Sequence, residues 1–339
     1  MRYLFCFVSI MTICHLAGAQ SNENLVGQAI LKFEAGDYAA SLTDIEEALA
    51  SQDDLAPKER AQAHLYRGRL YLRQELDSIN AGQTDAMPDA KLRALEHYLQ
   101  AREHDDGSMT AVIQQQLNQL YGQLFNAGAQ AYNNSRSAEG SARTALLEEA
   151  AKYVEGAYQI RPDNYMVSDL LGRTHYLLEQ YDQALGYYLN ARRQYRPIRS
   201  REPDFSAITN IFLSSSIIFE QHLTTPSLSR ALESVQAGLA LLDTEYGRYV
   251  SNFSSNSKEG HQRYVNGKKD LWEQEFSLLM KMPDRRNEAV TKFESAVEGD
   301  FKDDDRIHVM YALLVQDRDI DKAIELYTRA SQINPQNQT

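Results

Sequence analysis

The chain has 339 residues, with 35 Lys and Arg against 47 Asp and Glu, a formal charge of -12 at pH 7. That length exceeds one small core and suits an extended array or two domains, and 43% hydrophobic residues exclude wholesale disorder. An acidic surface repels nucleic acid, whose binding rests on Lys and Arg neutralising phosphates, so no nucleic-acid partner is expected.

The first 19 residues differ from the rest. Arg2 forms a short positive start, Tyr3 to Ile13 is almost wholly apolar, and Ala17, Gly18 and Ala19 make a small-residue site. This is the pattern of a secretory signal peptide cleaved after Ala19, so the chain is expected to be exported, to a periplasm or the secreted space, most readily a bacterial envelope. The apolar run is shorter than the roughly 20 residues of a spanning helix. Lipidation at Cys14 is the alternative, with Ile13 bulky where a small residue is wanted. Cys6 and Cys14 both lie in this segment, so a cleaved chain would carry no disulfide, thiolate nucleophile or Cys-ligated zinc. Its charge would be -12 - 1 = -13, because Arg2 is the only charged residue removed. No later stretch approaches membrane-spanning length, so no integral span is expected after cleavage.

Beyond this segment one pattern recurs: a small residue, a bulky one four later, and a small one three after that. In chain order it reads Ser41, Ile45, Ala48; Ala94, Tyr98, Ala101; Ala150, Val154, Ala157; Ala184, Tyr188, Ala191; Ala231, Val235, Gly238; Ala289, Phe293, Ala296; and Ala323, Tyr327, Ala330. Spacings of four and seven place all three side chains on one helical face, where small residues admit a neighbouring helix and the bulky one fills the gap. Ala150 to Ala184 and Ala289 to Ala323 are each 34 residues apart.

A 34-residue helix-turn-helix unit carrying these positions resembles the tetratricopeptide repeat family. Small residues twelve before the triplet (Ala29, Gly172, Ser277), Pro162 and Pro335 five after it, and the turn Gly36-Asp37-Tyr38, with Tyr181 repeating the tyrosine, agree with that family's pattern. The resemblance covers roughly residues 24–336 and implies an all-α, right-handed superhelical solenoid of about seven antiparallel helix pairs. Residues 20–250 hold the first five units, 251–262 form a Ser/Asn-rich linker and subdomain break, and 263–339 hold the C-terminal units. The intervals longer than 34 are assigned to solvated loops at Asp77 to Asp89 and Asn133 to Ser141, with Thr224 to Ser227 separating the helices of the fifth unit. A helix around Gln262 to Met280 is expected to include the first helix of the sixth unit.

The resemblance also implies a concave groove for a protein segment. Its positions correspond here to Leu65, Arg69, Leu72 and Arg73, then Phe125, Tyr132 and Asn133, then Asp169, Arg173 and Tyr176. Arg69, Arg73, Tyr132, Arg173 and Tyr176 are the expected partner-binding residues. The family's chaperone-tail-binding branch clamps a terminal carboxylate with Asn and Lys; this chain has Arg69 and Arg173 in place of the Asn and Leu65 in place of the Lys, so that clamp is not carried over.

A second basic feature is Arg192, Arg193, Arg196, Arg199 and Arg201. Cations are favoured at a helix C-terminus, which explains the run as a helix end and solvated linker; the sharper reading is a dock for an anionic partner. No H-E-x-x-H, G-x-S-x-G or phosphate-cradling glycine loop is present, and no cofactor or metal is expected. His97 and His104 are read as solvated or packing residues, and Asp303 to Asp305 as an acidic linker at a helix N-terminus. The expected function is a non-enzymatic scaffold or adaptor for other proteins. A periplasmic chaperone or carrier of unfolded or acidic clients is the alternative, and an enzyme with an unrecognised site ranks last. The last helix, about Ile320 to Ile333, is expected to turn Ile324, Tyr327 and Ala330 inward, leaving Leu326 and Ile333 as a modest apolar strip for a partner or a second copy of the chain.

Overall fold

The computed structural model describes residues 25–82, 89–197, 202–221, 225–252, 258–299 and 301–336. The leader segment with Cys6 and Cys14, and Arg199 and Arg201, lie outside them. The described residues divide into two compact units between Asp163 and Asn164.

The first unit holds α1 (25–34), α2 (Tyr38–Ala50), α3 (Pro57–Asn80), α4 (Ala90–His104), α5 (Thr110–Ser135) and α6 (Gly140–Ile160). The second holds α7 (Tyr165–Leu177), α8 (Tyr181–Gln194), α9 (Phe205–Glu220), α10 (Thr225–Asn252), α11 (Lys258–Met280), α12 (Arg286–Glu298), α13 (Asp305–Val315) and α14 (Ile320–Ile333). From α2 onward each helix packs on its chain neighbour within its unit, and α11 packs on α9 as well as on α10 and α12. The fifth region is thus a three-helix cluster rather than a simple pair. The helix foreseen around Gln262 to Met280 is α11, which then leads into α12.

The triplets form the core. Ser41, Ile45, Ala48, Ala94, Tyr98, Ala101, Ala150, Val154, Ala157, Ala184 and Ala191 are without exposed surface, and all other members are buried apart from Tyr327, which is half-buried. In the second unit Phe293 of α12 stacks against Phe276 of α11 and Tyr311 of α13, centroids 3.4 and 5.4 Å away, so one bulky triplet residue ties three helices together.

Short polar residues start the helices. Asp37, Asn164, Asp204, Asp304 and Asp319 each accept a hydrogen bond from a backbone N–H in the first turn of the helix they precede, satisfying donors that have no intrahelical partner. The acidic run Asp303 to Asp305 is therefore a helix start. In the α1–α2 turn Gly36 has φ +84°, and Glu179 takes φ +62° at the equivalent place, two residues before Tyr181.

Three expectations about the loops are corrected. Asn133, Asn134 and Ser135 are helical, so α5 runs to 26 residues and α6 to 21, with only 136–139 between them. Buried Gly128, Ala131 and Ser135 continue one face of α5, and Ser135 Oγ returns to the Tyr132 carbonyl at 2.7 Å. That burial outweighs the weak helix propensity of Asn and Ser. Likewise Asp77 to Asn80 extend α3, which stops at Ala81 and Gly82, the latter at φ +76°. Thr225 to Ser227 form the first turn of α10, where a proline's missing N–H costs nothing.

The expected orientation of α14 is also corrected. Ala323, Leu326 and Ala330 are buried and Ile333 is half-buried, while Ile320 and Ile324 are 67% and 57% exposed. The inward stripe runs through 323, 326 and 330, a helical i, i+3, i+7 series, which leaves Ile324 a full 100° off it. No described helix is long and apolar enough to cross a membrane.

Candidate functional site

A cavity of about 670 Å³ opens in the first unit. It is lined by Phe33 and Glu34 of α1, Tyr38 of α2, Arg69, Leu72, Arg73, Glu75, Leu76 and Ile79 of α3, Lys91 and Tyr98 of α4, and Gln116 and Gln123 of α5. The apolar floor comes from the periodicity of α3. Leu72, Leu76 and Ile79 stand at i, i+4 and i+7, so they share one face, and Leu76 and Ile79 remain 47% and 48% exposed.

The cations of the groove are held differently. Arg73 lies 4.7 Å from the centre of the Tyr38 ring and pairs with Asp77 at 2.9 Å; the hydrogen bond to Asp77 pushes its pKa upward. Lys91 pairs with Glu75 across α3 and α4. Arg69 lies 4.7 Å from the Tyr66 ring centre. The Tyr66 hydroxyl donates to Glu34 at 3.2 Å, and the structure gives Arg69 no carboxylate partner among the described residues. The Arg73 guanidinium is engaged twice by Asp77, through Nε at 3.2 Å and Nη2 at 2.9 Å, which leaves Arg69, over the Tyr66 ring, as the cation suited to an incoming carboxylate. Tyr98 donates to Gln116 at 3.4 Å, and burial raises its pKa.

What places these helices is a close approach at glycine. A methyl group on Gly68 of α3 would lie 2.5 Å from Tyr98 Cε1 on α4. The same clash recurs between Gly128 and Val154 Cγ2 at 2.4 Å and between Gly172 and Tyr188 Cδ1 at 2.8 Å. In each pair a small residue of the first helix admits the bulky centre of the triplet on the second. The helix pairs pack in a tetratricopeptide-like way, small position against bulky centre. In the first pair Ala29 takes the small position and its carbonyl accepts from Ser41 Oγ at 2.8 Å.

The expected groove residues are not all brought together. Arg69, Leu72 and Arg73 line the cavity, whereas buried Leu65 and Tyr132, half-buried on α5, are not among its lining residues. Arg173 and Tyr176 belong to the second unit. Arg173 pairs with Asp169 at 2.6 Å, and Asp169 also accepts from Asn210 at 2.7 Å. Burial raises the Asp169 pKa against the pull of Arg173. Tyr176 packs edge-on to Tyr181 at 5.6 Å. In the arginine run, Arg196 Nη1 donates to the carbonyls of Arg193 and Tyr195 at 2.7 and 2.9 Å, Arg192 lies 5.0 Å from the Phe212 ring centre, and Arg193 is exposed. Arg196 thus satisfies carbonyls at the end of α8, as a helix C-terminus requires.

Residues that sequence reasoning missed are Phe33, Tyr38, Leu76, Ile79 and Lys91. The i, i+4, i+7 spacing of Leu72, Leu76 and Ile79 was the signal available for the apolar rail, and it was hidden by assigning Asp77 onward to a loop.

No family model matches the sequence, and no curated protein does. Among solved structures the chain is similar to YrrB, described as a TPR protein with an unusual peptide-binding site, at 14% identity and a TM-score of 0.38 over 61% of this chain and 86% of that one. It is similar to the TPR domain of P58(IPK) at 13% identity and a TM-score of 0.28, covering 94% of each. It is also similar to the APC/C hetero-tetramer Cut9-Hcn1 at 14% identity and a TM-score of 0.25, over 91% of this chain and 72% of that one.

Proposed function

We propose that the chain is a non-enzymatic scaffold that binds a segment of another protein in the groove of its first unit. The observation that carries this reading is an open cavity of about 670 Å³ with an apolar rail and cations around it, in a chain whose net charge is -12. A few convergent polar groups over an apolar floor are what a binding cleft needs. Leu72, Leu76 and Ile79 offer apolar surface, while Arg69 offers its guanidinium to a carboxylate and Arg73, held by Asp77, adds positive charge beside it. The fitting segment presents a bulky apolar side chain beside an acidic one. The leader segment supports placing this scaffold in the periplasm or the secreted space.

Selection from a random displayed peptide library on the full chain tests the reading. Enriched peptides should pair an apolar residue with Asp or Glu. Their affinity should fall about tenfold or more in Leu76→Asp and in Arg69→Glu/Arg73→Glu, with helicity unchanged. The charge-dependent part should weaken with salt, since exposed charges are screened over about 10 Å at 0.1 M. Peptides that bind all three proteins equally would place the site elsewhere.

A further inference from the structure

We propose that His64 and His97, with the His104 ring stacked over His64, form an acid-sensitive clasp that holds α3 against α4 only while His64 is neutral. His64 is buried on α3, and its Nδ1 lies 2.9 Å from Nδ1 of His97 on α4. The ring of His104, two turns further along α4, lies over His64 with centroids 5.7 Å apart.

The hydrogen bonds fix the protonation state. His64 Nε2 faces Gln52 Oε1 at 3.2 Å. An amide oxygen only accepts, so Nε2 carries the proton, and in a neutral imidazole Nδ1 must then be the acceptor. His97 Nδ1 therefore donates to it. A second proton on His64 would set N–H against N–H across 2.9 Å. The contact that joins the helices would become a repulsion between two donors.

The charges that act on the stack oppose a new proton. On α3, Arg60 and Arg67 both act unfavourably on protonated imidazoles in this stack. Tyr71 stacks on His97 at 5.6 Å and carries the guanidiniums of Arg67 and Arg93 at 4.4 and 5.7 Å. Glu46 of α2 is bonded to Arg67, and Asp53 and Asp54, beside Gln52, are exposed. After α4, Asp105 and Asp106 accept from Met109, Thr110 and Ser108, with Lys58 acting on Asp106. The α5 helix carries no charged side chain, and Lys152 of α6 pairs with Asp89 at the other end of α4. Among the described residues no carboxylate bonds to any of the three imidazoles.

Burial is the largest cause that moves both His64 and His97 down to about 4, with His97, His104 and Arg60 adding to it at His64 and Arg67 at His97. Below pH 6.5 the unfolded chain then binds more protons than the folded one. Stability is complete above that pH and is lost as pH falls from 6.5 toward 4. Because α3 and α4 also carry Arg69, Leu72, Arg73 and Lys91, the same loosening would disturb the groove, a consequence that rests on the binding reading given above.

Titrating the imidazoles of the full chain by NMR, with labelled histidine, tests the clasp directly. Midpoints for His64 and His97 below about 5 are expected; a midpoint at or above 6 for both would overturn it. Hydrogen exchange at pH 7.5 and 4.5, corrected for intrinsic rates, should show α3 and α4 losing protection by about tenfold or more before α13 and α14 do. His64→Gln/His97→Gln should flatten the fall of melting temperature over that range, and an equal slope in both proteins would also overturn it. If the double variant does not fold, the wild-type titration and exchange decide alone. None of these readouts involves a peptide, so failure of the groove reading leaves them intact.

Discussion

At the level of single residues the repeat is a set of places where a side chain is forbidden. Gly172 and Gly186 are both helical, on α7 and α8, yet a methyl group means opposite things at the two. At Gly186 it would meet nothing within 4 Å, whereas at Gly172 it would lie 2.8 Å from two ring carbons of Tyr188. That ring is 1% exposed and has nowhere to retreat. Alanine in place of helical glycine gains roughly 0.5–1 kcal/mol from backbone entropy. Overpacking a tight core costs about 1–3 kcal/mol. Gly186→Ala should therefore raise the urea midpoint, and Gly172→Ala should lower it by the equivalent of about 1 kcal/mol. Equal shifts in the two variants would contradict the close approach of α7 and α8. This level was legible in the sequence because the motif states its own geometry: a small residue is conspicuous when it recurs opposite a bulky one.

At the level of elements the reading from sequence was uneven, for two reasons. Triplet positions mark which residues face inward, but helix length depends on how far the buried face continues, which polar residues disguise. Asn133 to Ser135 were read by composition as loop, while burial of Ala131 and Ser135 keeps them in α5. In α14 the triplet was read correctly at Ala323 and Ala330 and in part at Tyr327, which packs against the core, while Leu326 and Ile324 were put on the wrong faces. Tyr327 is only half-buried, and Leu326, 3% exposed, does the filling. The consequence is testable on one helix. Leu326→Glu would bury a carboxylate and delete apolar packing, a loss of about 3 kcal/mol or more. Ile324→Glu, at a site 57% exposed, should stay within about 0.5 kcal/mol of wild type. Thermal melts of the two variants should differ by several degrees, and a harmless Leu326→Glu would restore the outward strip.

At the level of the whole molecule, the sequence marks what each repeat shares and hides what only one of them does. His64 and His97 are 33 residues apart, with no motif linking them, and meet only because α3 and α4 pair as the repeat dictates. Half of the groove was readable for the same reason: Arg69, Leu72 and Arg73 sit at shared positions, whereas Leu76 and Ile79 sit on the extra turns of α3. Stability of such an array is a sum over neighbouring helices, and the proposed export bears on it. Removal of residues 1–19 would take both cysteines, Cys6 and Cys14, with it. A small domain in an oxidising compartment often relies on disulfides, but a chain starting at Gln20 would depend on helix packing alone. Its melting temperature should therefore be identical with and without a reducing agent, and thiol titration of the unfolded protein should return none. Intact-mass measurement on protein from its native source should give a chain beginning at Gln20. A native chain that keeps Met1, or one that begins at a lipid-modified Cys14, would remove the basis for placing the scaffold as a cleaved, cysteine-free exported protein.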